Sequence, residues 1–314
     1  MPMKTSRLAK TPQAKIKVRL RQAAAGDALP ATTAPYALKA LPAAAAGCLR
    51  IATWNINSVR LRLGLLKRLA LHAAPDVICL QETKTPDEHF PRQALARLGY
   101  VHQAACGMKG YNGVAILSRR PLHAAAPREW CERADCRHIV AEIEVGADRI
   151  ELHNVYVPAG GDSPDPATNP KFAHKLRFLQ EQTAWWETQP KAGPPRILVG
   201  DLNVAPFETD VWSHKQLLNV VSHTPVETEL LGKLRAAHDW VDVAREIAPE
   251  PTRLYTWWSY RNRDWKASDR GRRLDHIWVT PGLKSTLSAV HILKGARDWR
   301  QPSDHVPVVV DLKL

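Results

Sequence analysis

The chain has 314 residues, of which 45% are hydrophobic and 24% charged, a balance that fits a folded globular protein of one large or two modest domains. No apolar run approaches the roughly 20 residues needed to cross a bilayer, which excludes an integral membrane protein. The formal charge of +13 points instead to a polyanionic partner, most simply nucleic acid.

Residues 1–48 carry eight Lys or Arg against one acid, Asp27. Few large apolar side chains accompany them, so this segment cannot bury enough surface to offset chain entropy and is expected to be a disordered basic arm. It reads as a passive or weakly binding tail, with an electrostatic handle for nucleic acid and an organelle presequence as the other readings. From Leu49 to the C-terminus the pattern is that of a single folded domain. "LRIATWNIN" reads as a strand, "RLRLGLLKRLALHAA" places Leu61, Leu65, Leu66, Leu69 and Ala70 at helical spacing, and "DVICLQE" is a short apolar run typical of a buried strand. Further strands are expected at "NGVAILS", "HIVAEIEV", "RIELHNVYVP", "RILVGDLN", "RLDHIWVT", "TLSAVHILK" and "DHVPVVVDL". Helices are expected near 171–188 and 226–238, the second opened by Thr224 with Glu227 three residues on, as in a capping box. Several runs follow one another without a helix between them, so hairpins must be present and the sheets mixed. The five cysteines are odd in number and sparse, as in a reducing, cytoplasmic setting. Cys131, Cys136 and His138 lack the second ligand pair that a zinc site would need.

Polar side chains stand where apolar strands stop. Asn55 and Asn57 close the first strand, Glu82 ends the second, Tyr156 ends "LHNVYV", and Asp201 and Asn203 follow "RILVG". Asp275 begins "LDHIWV", and Asp304 with His305 begins the last strand. Each alone is most often a cap or turn residue. As a set they offer hard oxygen ligands in Asn55, Glu82 and Asp304, which suit Mg²⁺ or Mn²⁺. His305 can serve as general base or phosphate contact with Asp275 orienting it, and Asp201 can position or deprotonate water. Asn203 and Tyr156 can donate to a phosphoryl oxygen. Such a set suits metal-assisted hydrolysis of a phosphodiester.

"ATWNINSVR", "LQETK", "GYNGVAILS", "NVYVP", "GDLNVAP", "RLDHIWV" and "SDHVPVV" resemble, in that order, the motifs of exonuclease III and the apurinic/apyrimidinic endonucleases of the endonuclease/exonuclease/phosphatase superfamily. The resemblance implies an α/β fold, a four-layer α-β-β-α sandwich of two packed mixed β-sheets flanked by helices, with the active site at their rim. It implies a Mg²⁺-dependent abasic-site endonuclease cutting 5′ to the lesion, with 3′ to 5′ exonuclease and 3′-end trimming activity. The implied partner is double-stranded DNA with abasic sites, nicks or blocked 3′ ends, bound by a monomer. By motif position, Asn55, Glu82, Asp201, Asn203, Asp304 and His305 form the implied metal site. Tyr156, Asp201, Asn203, Asp275 and His305 form the implied catalytic set, in which either Asp201 or His305 can be written as the base. Trp257 is similar in position to the aromatic that packs on a flipped-out abasic sugar. Arg60, Lys84, Lys109 and Arg261 are candidate phosphate contacts. Ser58 stands where many relatives have glycine, and Arg272 and Arg273 stand where some apurinic endonucleases place an aromatic, so a more basic pocket wall is expected. Two rival readings are a superfamily phosphatase acting on another phosphoester and an inactive nucleic-acid-binding regulator on the same scaffold.

Overall fold

The change of composition near Leu49 coincides with the first strand of a layered domain. The structure, a computed structural model, describes residues 40–314, so the expected arm lies outside the described residues except for its last few. Those few run along the domain: Leu41 N donates to His72 O at 2.7 Å, and Leu314 N donates to Gly47 O at 3.0 Å.

The strands are β1 (Cys48–Asn55), β2 (Val77–Gln81), β3 (His102–Cys106), β4 (Val114–Ser118), β5 (Leu122–Pro127), β6 (His138–Val145) and β7 (Asp148–Tyr156), followed by β8 (Arg196–Asp201), β9 (Val241–Asp242), β10 (Trp257–Trp258), β11 (Gly271–Arg272), β12 (Asp275–Val279), β13 (Leu287–Ile292) and β14 (Val308–Lys313). The helices are α1 (Leu63–His72), α2 (Arg92–Ala96), α3 (Pro170–Thr188), α4 (His214–Leu217), α5 (Pro225–Ala237), α6 (Val243–Ile247) and α7 (Trp265–Ser268). Two six-stranded sheets result, in the orders β13-β14-β1-β2-β4-β3 and β5-β6-β7-β8-β12-β9, with β10 and β11 as a separate ribbon. Both are mixed: β1 and β2 are parallel, as are β7 and β8, and the neighbouring pairs are antiparallel.

Alternation along the strands sets the layers, because successive side chains face opposite sides. Ile51, Val77 and Cys79 of the first sheet meet Ile197, Val199 and Ile277 of the second in one central core. Their neighbours point outward: Trp54, Ile78 and Leu80 pack under Leu66 and Leu69 of α1. Val155, Leu198 and Trp278 pack under Phe178 of α3 and Leu230 and Leu234 of α5. The expected four-layer sandwich is therefore present.

Local chemistry places the helices. Asn169 caps α3 ahead of Pro170, and the Thr224–Glu227 capping box opens α5. Leu61 departs from its expected place, being 58% exposed just ahead of α1. The strands β3 and β5 were not expected, since "HQAAC" and, apart from Leu122, "LHAAAP" lack large apolar side chains. They lie at sheet edges, where one flank needs no partner and small residues suffice.

Candidate active site

The sheet register brings the polar strand ends together. In the second sheet Tyr156 pairs with Asp201, and Asp201 pairs with Asp275, so three strands end in one row. In the first sheet Asn55 pairs with Gln81, which sets Glu82 one residue beyond. Backbone geometry then turns these groups toward each other. Glu82 has φ 51° and Asn203 φ 52°, left-handed positions that redirect the chain just past β2 and β8. At Gly200, φ is 145° and a Cβ would lie 1.8 Å from Val155 O, so only glycine lets β7 and β8 close at the residue before Asp201.

Asn55 bridges the two sheets. Its Nδ2 donates to Glu82 Oε1 and to Asp201 Oδ2, each at 2.9 Å. Tyr156 OH donates to Glu82 Oε1 at 2.8 Å, and Lys84 Nζ lies 2.6 Å from Glu82 Oε2. Burial alone would raise the Glu82 carboxyl, but Lys84 and the Asn55 and Tyr156 donors outweigh it and hold it below its usual range. On the other side, His305 Nδ1 lies 2.8 Å from Asp275 Oδ2, and Nε2 lies 3.6 Å from Asp201 Oδ2. Burial opposes the imidazolium, yet Asp275 and Asp201 together raise His305 to about 10. Asp201 is pushed up to about 7 by burial, against the opposing pull of His305 and with Asp275 adding like charge. Asn203 Nδ2 donates to Val157 O at 2.8 Å and to Asp201 Oδ2 at 3.2 Å. Asp304 accepts from Asn57 Nδ2 at 3.2 Å and from Trp257 Nε1 at 3.0 Å.

The arrangement is a buried, mixed-charge cluster at the mouth of a groove of about 790 Å³, lined on the catalytic side by Glu82, Asn203, Asp304 and His305. It can hold a hard cation, carry a proton and donate hydrogen bonds to an anion. Over this same stretch, residues 52–305 match the model of the Endonuclease/Exonuclease/phosphatase family. The chain belongs to that family. It is 30% identical over 276 residues to exodeoxyribonuclease III of Haemophilus influenzae, covering 84% of this chain and all of the relative. Among solved structures it is similar to an AP endonuclease from Archaeoglobus fulgidus, with a TM-score of 0.77 and 32% identity over 85% of this chain and all of the other. A 3′ phosphatase, NExo from Neisseria bound to product DNA hairpin, also has a TM-score of 0.77, with 29% identity over 85% of this chain and all of the other. The chain is an enzyme of this nuclease-type hydrolase class.

Within this endonuclease/exonuclease/phosphatase domain, Asn55, Glu82, Tyr156, Asp201, Asn203, Asp275 and His305 converge in one hydrogen-bonded group. Asp304 joins through Asn57, whose Oδ1 accepts from Lys84 Nζ at 2.8 Å. Lys84 is thus held inside the cluster rather than standing ready as a free phosphate contact. Trp257 lines the groove, whereas Trp258 is fully buried in the core behind it. Arg60 and Lys109 are exposed, and among the described residues no hydrogen bond or ion pair of theirs reaches the cluster. The expected basic wall is half right: Arg272 lines the groove, but Arg273 turns inward to Asp210 and Asp242, each at 2.8 Å. The three candidate zinc residues diverge, for Cys136 Sγ faces Cys106 Sγ at 2.7 Å while His138 bonds Trp130 and His153.

Several supporting residues went unnoticed in the sequence. Thr256 Oγ1 donates to Asp275 Oδ2 at 2.6 Å, and Ser303 Oγ donates to Asn55 O at 2.7 Å while accepting from His305 N at 3.2 Å. Lys175 is fully buried on α3, pairs with Glu227 and donates to Asn203 O at 2.7 Å. A lysine in the apolar stripe formed by Phe172, Phe178, Leu179 and Trp186 was the one signal available.

Proposed function

We propose that this chain is a Mg²⁺-dependent DNA phosphodiester hydrolase of base-excision repair. It incises duplex DNA 5′ to abasic sites, removes nucleotides 3′ to 5′ and trims blocked 3′ ends, acting as a cytoplasmic monomer. The observation that carries this reading is the Asn55 bridge, which joins Glu82, with its partners Tyr156 and Lys84, to Asp201, with His305 and Asp275 beside it, so that strand ends of both sheets meet in one cluster. The names of the similar exodeoxyribonuclease and AP endonuclease, and the product DNA hairpin bound to NExo, support DNA as the substrate class.

The donor set fits a hard divalent cation. Carboxylate and amide oxygens dominate the cluster, and the Glu82 and Asp201 carboxylates stand close enough for Asn55 Nδ2 to lie 2.9 Å from each. Asn55, Glu82 and Asp304, with Asp201 and Asn203 beside them, would hold Mg²⁺, or Mn²⁺ in its place, whereas His305, protonated and bonded through Nδ1 to Asp275, has no lone pair to give the ion. Bound there, the ion supplies positive charge for the phosphoryl oxygens and the departing 3′ oxygen.

The chain's own groups do the rest. Asp201, poised near neutrality, takes the proton of an in-line water or returns one to the leaving oxygen, since a carboxyl near the working pH serves both directions. The His305 imidazolium, fixed by Asp275, faces the negative charge that builds on phosphorus. Asn203 exchanges its Asp201 partner for a phosphoryl oxygen, and Tyr156, whose one hydroxyl proton goes to Glu82, holds that carboxylate in place. A regulator without activity would be expected to lack one of these groups, and all are present.

The test is an end-labelled duplex with one abasic analogue, incubated with Mg²⁺ or with EDTA. Metal-dependent incision 5′ to the analogue is expected from the native chain. Glu82→Ala should lose turnover but keep DNA binding. No product from abasic, nicked or blunt DNA would refute the reading.

A further inference from the structure

The groove beside the cluster is also lined by basic and aromatic side chains, and Trp257, whose Nε1 donates to Asp304 Oδ2 at 3.0 Å, joins the two parts. Arg261, Arg270 and Arg272 line it together with Trp212, Trp257 and Leu274. The Arg270 guanidinium lies 4.6 Å from the Trp212 ring centroid, and that of Arg272 lies 5.1 Å from the Trp257 centroid. Arg272 is held in place rather than swinging in solvent. Its backbone pairs with Trp257 in the β10–β11 ribbon, and its Nη1 donates to Val221 O at 2.9 Å and to Ser222 Oγ at 2.7 Å.

Its charge is answered only from a distance, by Glu227. Nε is buried with no hydrogen-bond partner, and no ion pair reaches Arg272 among the described residues. The adjacent Arg273 shows the contrast, since Asp210 and Asp242 neutralise it in full view of the same ribbon. Glu227, on the helix behind Ser222, is already taken by Lys175. A half-buried guanidinium with neutral partners only is costly to keep unless an anion completes it.

We propose that Arg272 is a specificity-determining residue that favours a 3′-terminal phosphomonoester over a phosphodiester whose abasic sugar must enter the groove. This rests on the nuclease reading above and deepens it. At neutral pH a monoester carries nearly two negative charges and a diester one. The extra charge sits on the oxygen through which a diester would continue, and in this proposal that oxygen meets Arg272, which Trp257, bonded to Asp304 at 3.0 Å and with its ring centroid 5.1 Å from the guanidinium, holds beside the cluster. A fixed guanidinium offers that oxygen a charge-assisted bond. A neutral sugar ring offers Arg272 nothing in return and removes its water. In the favoured reaction the water oxygen bonds to phosphorus, the bond from phosphorus to the 3′ oxygen breaks, that oxygen takes a proton, and inorganic phosphate leaves.

The experiment compares the native chain with Arg272→Gln, which can keep a hydrogen bond to Val221 O or Ser222 Oγ, and with Arg272→Lys. One arm measures kcat/KM with Mg²⁺ on a nicked duplex ending in 3′-phosphate and on a duplex with an internal abasic analogue. The other measures Kd in EDTA for nicked duplexes ending in 3′-phosphate or 3′-hydroxyl, by fluorescence anisotropy. Arg272→Gln should lose about 10- to 100-fold on the 3′-phosphate, the range for one charged hydrogen bond, and less than about 3-fold on the abasic duplex, with partial rescue by lysine. It should also erase the tighter binding of the 3′-phosphate end in EDTA. A native chain without activity on either duplex would sink the nuclease reading itself. Equal losses on both substrates, or an unchanged ratio and an unchanged difference in Kd, would overturn the role of Arg272 and leave that reading standing.

Discussion

Replacing Asp275 by Asn removes one charge and almost no volume from the centre of the site. His305 Nδ1 lies 2.8 Å from Asp275 Oδ2, and two unit charges at that separation in an effective dielectric of about 20 attract by roughly 6 kcal/mol. Two things reduce the loss: Asp201 remains 3.6 Å from the other ring nitrogen, and the carboxylate no longer has to be stripped of water. About half the Coulomb value, some 3 kcal/mol, is the expected loss of transition-state stabilisation, or about 10²-fold in kcat. KM should change little, because the stabilised charge builds on the phosphoryl group only as the reaction proceeds. With Asp275 gone as the main support of the imidazolium, the alkaline limb of the pH profile should also move down. Steady-state incision of an end-labelled abasic duplex from pH 6 to 10 tests both effects. A kcat within about threefold of native, with an unmoved alkaline limb, would show that the Asp275–His305 pair does not carry the charge assigned to it.

Three further outcomes follow from the same geometry. In EDTA, thermal stability should fall as pH rises between 6.5 and about 10: the folded state raises His305 across that interval, so its contribution is complete below the lower value and gone above the upper one. His305→Gln should flatten this slope, and an unaltered slope would refute the assignment. Lys175→Met should destabilise by about 3 kcal/mol in urea unfolding, because it leaves Glu227 charged and fully buried, although Ser222 N and the Thr224 hydroxyl still donate to it. It should also lower kcat through Asn203, whose carbonyl loses its Lys175 donor; a loss under about 1 kcal/mol would mean that the pair contributes little. Ser58→Gly should stabilise by about 0.5 kcal/mol in the same assay, since Ser58 has φ 87°, where a side chain costs about 1–2 kcal/mol and glycine's greater unfolded freedom returns part of it. Destabilisation instead would mean that Ser58 is held there by interactions beyond its backbone bonds to Glu82 and Arg62.

Much of the molecule could be read directly from the order of its residues. Apolar runs of β-branched residues separated by two long amphipathic helices require mixed sheets covered on their outer faces, and the seven ordered motifs narrowed that class to one family. Strand-end position singled out Asn55, Glu82, Tyr156, Asp201, Asn203, Asp275 and His305 as candidates that the fold brings together, because a side chain that ends a buried strand is held rigidly by the core behind it. Edge strands such as β3 and β5 were not legible, as their alanines satisfy a sheet margin without any apolar pattern.

The tertiary structure alone decided which of these groups touch and with what charge. Tyr156, Asp201 and Asp275 stand in one row because β7, β8 and β12 pair in that register, and register depends on strands far apart in the chain. Burial and proximity, which no local pattern encodes, set Asp201 near 7 and His305 near 10. The same holds for two neighbouring arginines with identical side chains. Arg273 meets Asp210 and Asp242 inside the fold, and Arg272 faces the groove on Trp257, because alternation along the chain sends adjacent residues to opposite sides and only the packing around them determines what each will find.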